Sequence, residues 1–176
     1  YVGALDNDGC LWVIDELHHP GVTGRTFGEN MRRFWERQKW CSSKKFRHDE
    51  FYGVIDKQAM DKYGSEQTSA AGIMEWGFRL FPANKDRIAG CNQLKERLLL
   101  NRHGKPQMVI FEDRCPALCR ALSKIDSNAP ENPEEYDPKS TYAHAADGLR
   151  FLCMEFPVHN AREENPIDAE VAKWNE

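Results

Sequence analysis

YVGALDNDGCLWVIDEL, residues 1–17, decides how the rest of the chain is read. Two apolar, β-branched runs flank Asn7-Asp8-Gly9, and Asp-Gly supplies the positive φ angles that a tight hairpin turn needs. The stretch is therefore expected to be two antiparallel strands. An antiparallel opening rules out an all-parallel sheet, whatever follows it.

Working outward, HHPGVTG reads as a loop and TFGENMRRFWERQKW as a helix, with Thr26 and Glu29 in capping-box spacing and Phe27, Met31, Phe34 and Trp35 on one side. FYGVID is a short aromatic and β-branched strand ending in Asp56, followed by a loop and a helix over residues 65–76. FRLFPA is a further strand. DRIAGCNQLKERLLLNRHG carries Ile88, Cys91, Leu94 and Leu98 in helical register and closes at Gly104. QMVIFED has the look of a buried strand, and CPALCRALSKI starts a helix with Pro116 in its first turn. DSNAPENPEEYDPKS is rich in Pro, Asn and acid and reads as an exposed loop. Strands alternating with helices after an antiparallel hairpin predict an α/β fold: a mixed sheet covered by helices on both faces.

With 40% hydrophobic and 11% aromatic residues in 176, the chain has material for one core. One globular unit over residues 1–156 and a polar tail over 157–176 are expected. No apolar run approaches the roughly 18 residues of a membrane span, and neither a span nor a leader peptide is expected. The six cysteines are scattered through predicted strands and helices, which suits free thiols in a reducing cytoplasm. No CxxC occurs, and no structural zinc site is expected. A net charge of −4 argues against holding nucleic acid by bulk electrostatics, although a nuclease that gathers carboxylates around cations escapes that objection.

HAADGLRFLCMEF, residues 144–156, is strongly helical, and with Tyr142 in front it puts Tyr142, Ala145, Ala146, Leu149, Leu152, Cys153 and Phe156 on one apolar stripe. Asp147 lies off that stripe, between His144 and Phe151 on its own side of the helix. On spacing alone it reads as a solvated acid on a half-buried helix, and only something outside this helix can promote it to a site residue. Asp56, at the carboxyl end of a strand, stands where sheets of this class place functional groups, but also where an ordinary helix cap stands.

The ordered set of VIDEL, GVID, GFRLFPANKDRIAG, GKPQMVIFEDRCPALCRAL and YAHAADGLRFL resembles the C-terminal nuclease domain of the large terminase subunit of tailed bacteriophages and prophages, which has a ribonuclease H-like fold. The last piece is the most specific: His144, an acid three residues on at Asp147, then Leu149, Arg150 and Phe151. The resemblance implies a metal-dependent endonuclease that cleaves double-stranded DNA during packaging in the cytoplasm of a bacterial host. It also implies two divalent cations, Mg²⁺ or Mn²⁺, with Asp56 and Asp147 among their ligands and His144 beside them. Two cations about 4 Å apart serve the attacking and leaving oxygens of an in-line displacement, and hard cations take carboxylate oxygens. The implied partners are the terminase ATPase domain, the small terminase subunit and the portal.

Two departures bear on that reading. The family opens with three antiparallel strands and this chain offers two, so its first strand, with the first acid, is placed upstream of Tyr1; the alternative is a protein that lacks a ligand. The acid that often precedes the family's helix histidine is Ala143 here. Asp6 and Asp8 sit in a turn that normally faces solvent, while Asp15 and Glu16 point to opposite faces of their strand, so one of them could face the site. No GxxxxGK[ST] phosphate loop occurs, so the motor is not in this chain. Lys85 and Arg87, with Lys44, Lys45 and Arg47, are candidates for phosphate contacts, and His18-His19 reads as loop. Against the nuclease stand a binding module of the same fold with an incomplete metal site, and another ribonuclease H-like nuclease such as a junction resolvase.

Overall fold

The computed structural model describes residues 1–37, 52–61, 67–125, 127–128 and 132–158. The opening hairpin forms as expected: β1 (Val2–Leu5) pairs antiparallel with β2 (Leu11–Asp15). Its turn is locked by the Asp6 carboxylate, which accepts from the backbone N–H of Asp8 and Cys10 and from the Trp12 indole. Gly9 follows at φ +80°, a conformation that suits glycine.

The helix α1 (Gly24–Arg37) starts three residues earlier than the capping-box spacing suggests. Its cap is Thr23, whose hydroxyl accepts from the Thr26 N–H; Thr26 is inside the first turn, so its spacing to Glu29 has no capping role. Strand β3 (Tyr52–Ile55) leads into a 3₁₀ turn, Lys57–Met60. Then come α2 (Ser69–Met74), β4 (Arg79–Pro82), which pairs parallel with β3, and α3 (Arg87–Leu98), capped by Asp86. Gly104 does not close that helix: α3 ends at Leu98, and Gly104 (φ +72°) turns the loop that follows. Strand β5 (Met108–Ile110) pairs parallel with β2, and α4 (Pro116–Leu122) begins at its proline.

The acidic stretch is not wholly a loop. It contains an antiparallel pair, β6 (Ser127–Asn128) and β7 (Asn132–Tyr136), which delivers a buried tyrosine, Tyr136, beside the last helix, α5 (Ala143–Glu155). Polar composition concealed the element because one aromatic residue anchors it. Of the expected tail, residues 157–158 are described, with the Val158 N–H on the Gln93 side chain; the rest lies outside the described residues, as do the end of the first predicted helix and Lys44, Lys45 and Arg47.

Among the described residues the fold is mixed α/β, with five helices and a small mixed sheet, β1-β2-β5, beside the two-stranded pairs β3-β4 and β6-β7. Alternation along β2 sends Leu11 and Val13 into a core with Leu94 of α3, Cys115 just before α4, Leu118 within it, and Leu149 and Cys153 of α5. On the opposite face Trp12 and Phe111 meet, ring centroids 6.0 Å apart. Arg97 of α3 is buried; its guanidinium donates to the carbonyls of Gly9, Gln107 and Phe156, tying the hairpin turn, the approach to β5 and the end of α5 together. The described cysteines are free thiols, and burial pushes Cys153 up to about 12 against the opposing pull of Arg97.

Among the described residues no ladder joins the two larger sheet pieces, but α5 touches both. A Cβ on Gly148 would meet the Tyr1 ring at 2.8 Å, and one on Gly3 would meet Leu152 at the same distance, so β1 runs with α5. Tyr52 hydrogen-bonds Glu155, while Arg150 acts on Asp56, so β3 runs against it.

Candidate functional site

Asp56 ends β3 as expected, and it does two jobs there. Its Oδ1 caps the 3₁₀ turn by accepting from the Gln58 N–H at 2.8 Å, and it accepts from Lys85 Nζ at 2.9 Å. Partial burial pushes the Asp56 carboxyl up. The Gln58 hydrogen bond, the Lys85 ammonium and the more distant Arg150 guanidinium outweigh that push and hold it below the ordinary carboxylate value.

Asp147 lies on α5 with Arg150 three residues on. Arg150 Nε and Nη2 approach its Oδ1 at 3.2 and 3.1 Å, and the Tyr136 hydroxyl donates to the same oxygen. Arg150 is only 3% exposed, its Nη1 donates to the Asp86 carbonyl at 3.2 Å, and its guanidinium lies 4.6 Å from the Phe151 ring centroid. Helix α3 comes close enough that a Cβ on Gly90 would strike the Arg150 stem at 2.6 Å. Burial works to lower the Arg150 pKa, but the hydrogen bonds and charges of Tyr136 and Asp147 reverse the sign and raise it; burial and the Asp147 carboxylate likewise raise the Tyr136 phenol. Arg150 thus binds Asp147 directly and stands near enough to influence Asp56. The helix acid is paired to this buried cation, and the strand acid, paired to Lys85, feels its charge at longer range.

His144 stands exposed in the first turn of α5, on the Asp147 side. Neither Asp15 nor Glu16 turns to this site. Asp15 is buried and paired with Arg114 at 2.9 Å, and the Glu16 carboxylate caps α4 by accepting from Ala117 N and Leu118 N at 2.7 and 2.9 Å. Asp6 is spent on the hairpin turn, and Asp8 pairs with Lys105. Of the cations expected to meet phosphate, Lys85 is on Asp56, while Arg87 donates to the Tyr136 carbonyl and lies 4.6 Å from that ring's centroid.

The sequence reading missed the roles of Arg150 and Tyr136. An i,i+3 Asp–Arg pair was a usable signal for the first. Nothing in a Pro- and Glu-rich segment marked the second.

In donor chemistry the two acids suit a hard divalent cation: both are carboxylates, and their side chains are 40% and 28% exposed. Among the described residues no group of three or more His, Cys, Asp or Glu side chains gathers to hold a metal, so Asp56 and Asp147 would need at least one further ligand. No family model matches the chain, and comparison with curated proteins and with solved structures returns no match.

Proposed function

We propose that this chain is a metal-dependent endonuclease domain of the ribonuclease H-like type, of the kind found in phage terminase large subunits, acting on double-stranded DNA. The supporting observation is that Asp56, at the carboxyl end of β3 and ion-paired to Lys85, lies within electrostatic reach of Arg150, the buried cation that Asp147 of α5 pairs directly. The order of motifs in the sequence supports the same reading. Divalent cations, Mg²⁺ or Mn²⁺, held by these carboxylates supply an activated water and stabilise the leaving oxygen when bound. The chain's own residues hold the acids in place: Arg150 and Tyr136 fix the Asp147 rotamer, and the Gln58 N–H fixes that of Asp56. His144 is exposed beside Asp147, placed to meet substrate. The DNA-packaging partners, which are the ATPase domain, small subunit and portal, and a bacterial cytoplasm as the working place belong to this proposal. Among the described residues no helix is long and apolar enough to cross a membrane.

The arrangement of the sheet supports one further detail. Strands β1 and β3 each have an edge unpaired among the described residues, and both lie along α5 in opposite directions. A strand set between them would run antiparallel to β1 and parallel to β3, the place that the ribonuclease H-like reading gives to the strand carrying the first acid.

Supercoiled plasmid tests the reading. Nicking or linearisation in Mn²⁺, suppressed by EDTA and lost in Asp56→Asn and Asp147→Asn, is the expected result. If the wild type and both variants leave the plasmid equally intact, with and without a restored upstream strand, the nuclease reading is wrong. The second reading, a non-cutting binding module, is favoured by the absence of a third acid among the described residues. Retention of a DNA duplex on the metal-free protein together with that silence would select it.

A further inference from the structure

The charges around Asp56 and Asp147 cancel. Lys85 offsets Asp56 and Arg150 offsets Asp147. The two cations are held very differently. Arg150 is 4% exposed at its side chain and is gripped by Asp147, the Asp86 carbonyl, the Phe151 ring and the close approach of Gly90. Lys85 sits in the connection between β4 and α3, its side chain 45% exposed and its ammonium on the Asp56 Oδ1. An ion pair exposed to that extent is weak and readily exchanged, whereas a buried guanidinium cannot leave without a large penalty.

Resting on the nuclease reading, we propose that Lys85 is the exchangeable counter-cation of the site. In the metal-free protein its ammonium holds Asp56, a divalent cation displaces it from that carboxylate, and the freed ammonium turns to the phosphate of bound DNA. Lysine suits such a handover because its ammonium is a compact point charge on a flexible stem and needs no fixed two-pronged partner. Arg150 remains in place throughout and positions Asp147. The handover also makes metal and substrate binding cooperative: the cation that enters releases a positive charge that the substrate uses.

Electron paramagnetic resonance of Mn²⁺ added to the metal-free protein, without DNA, reads the first half directly. Removing the competing ammonium leaves the site one negative charge richer, so Lys85→Met should bind Mn²⁺ several-fold more tightly than wild type, and Asp56→Asn should bind it more weakly. In Ca²⁺, a short DNA duplex should bind Lys85→Met less well than wild type. A lysine that only meets phosphate would weaken duplex binding and leave Mn²⁺ affinity unchanged; that result overturns the inference, and with Asp56→Asn still weakening Mn²⁺ it leaves the nuclease reading standing. No Mn²⁺ bound by wild type or Lys85→Met at millimolar metal overturns both. Lys85→Gln serves as the second variant, and the melting temperature of each shows that it is folded.

Discussion

Cutting the Asp147 side chain back to alanine leaves the Arg150 guanidinium buried without its carboxylate, with the Asp86 carbonyl, the Tyr136 hydroxyl and the Phe151 ring beside it. If the two acids merely repelled each other, removing either would stabilise the apo protein. Each is instead paired with a cation, so the two substitutions should diverge. Asp147→Ala should cost about 2–3 kcal/mol, the lower part of the range for breaking a buried pair because the Asp147 side is partly wet, while Asp56→Asn should stay within about 0.5 kcal/mol. Urea denaturation of both variants checks the difference, and equal values would mean that Arg150 is less dependent on its carboxylate than the packing indicates. The depressed Asp56 carboxyl has a pH signature. Its contribution to stability is present above the unfolded carboxylate pKa and disappears as pH falls through the lower folded value. Melting curves taken from roughly pH 6 down to pH 3 should therefore show a slightly flatter acid limb in Asp56→Asn than in wild type. At this scale the sequence exposed the two acids, one by its strand end and one by its place off an apolar stripe. It hid the groups that hold them, because the Tyr136 contact depends on a pairing distant in sequence and Arg150 looks like surface until α3 covers it.

At the scale of elements, α5 carries the core. Leu149 is fully buried among residues of β2, α3 and α4, and Leu149→Ala should cost about 2–5 kcal/mol, measured by the same denaturation. The α1–α2 contact rests on shape: a Cβ on Gly28 would lie 2.6 Å from Trp76 Cδ1 and 2.9 Å from the Ile73 backbone. Gly28→Ala should accordingly lose about 1–3 kcal/mol by forcing the helices apart. A melting temperature unchanged by that substitution would show that Trp76 rotates aside. Amphipathic periodicity and the Pro116 start were legible for α3, α4 and α5, and β-branched runs for the short strands. Element ends were less so. Thr23 took the cap expected at Thr26 because its hydroxyl reaches the Thr26 N–H, and the Pro- and Glu-rich stretch formed strands because Tyr136 buries its ring.

For the whole molecule, the antiparallel hairpin did predict mixed topology, but no local pattern could show that the sheet divides or that α5 spans the division. Hydrogen exchange maps this directly. Amides of β2, which is paired on both sides, should exchange slowest, while β1 and β3 should be faster along their unpaired edges. Protection of β1 and β3 equal to that of β2 would reveal a strand already lying between them. The division has a thermal consequence as well. Asp56 belongs to one sheet piece and Asp147 to the helix lying across both, so their alignment depends on how that helix is seated rather than on any ladder of backbone hydrogen bonds. Side-chain packing loosens before ladders break, and on gradual warming the proposed cleavage should be lost several degrees before the protein unfolds.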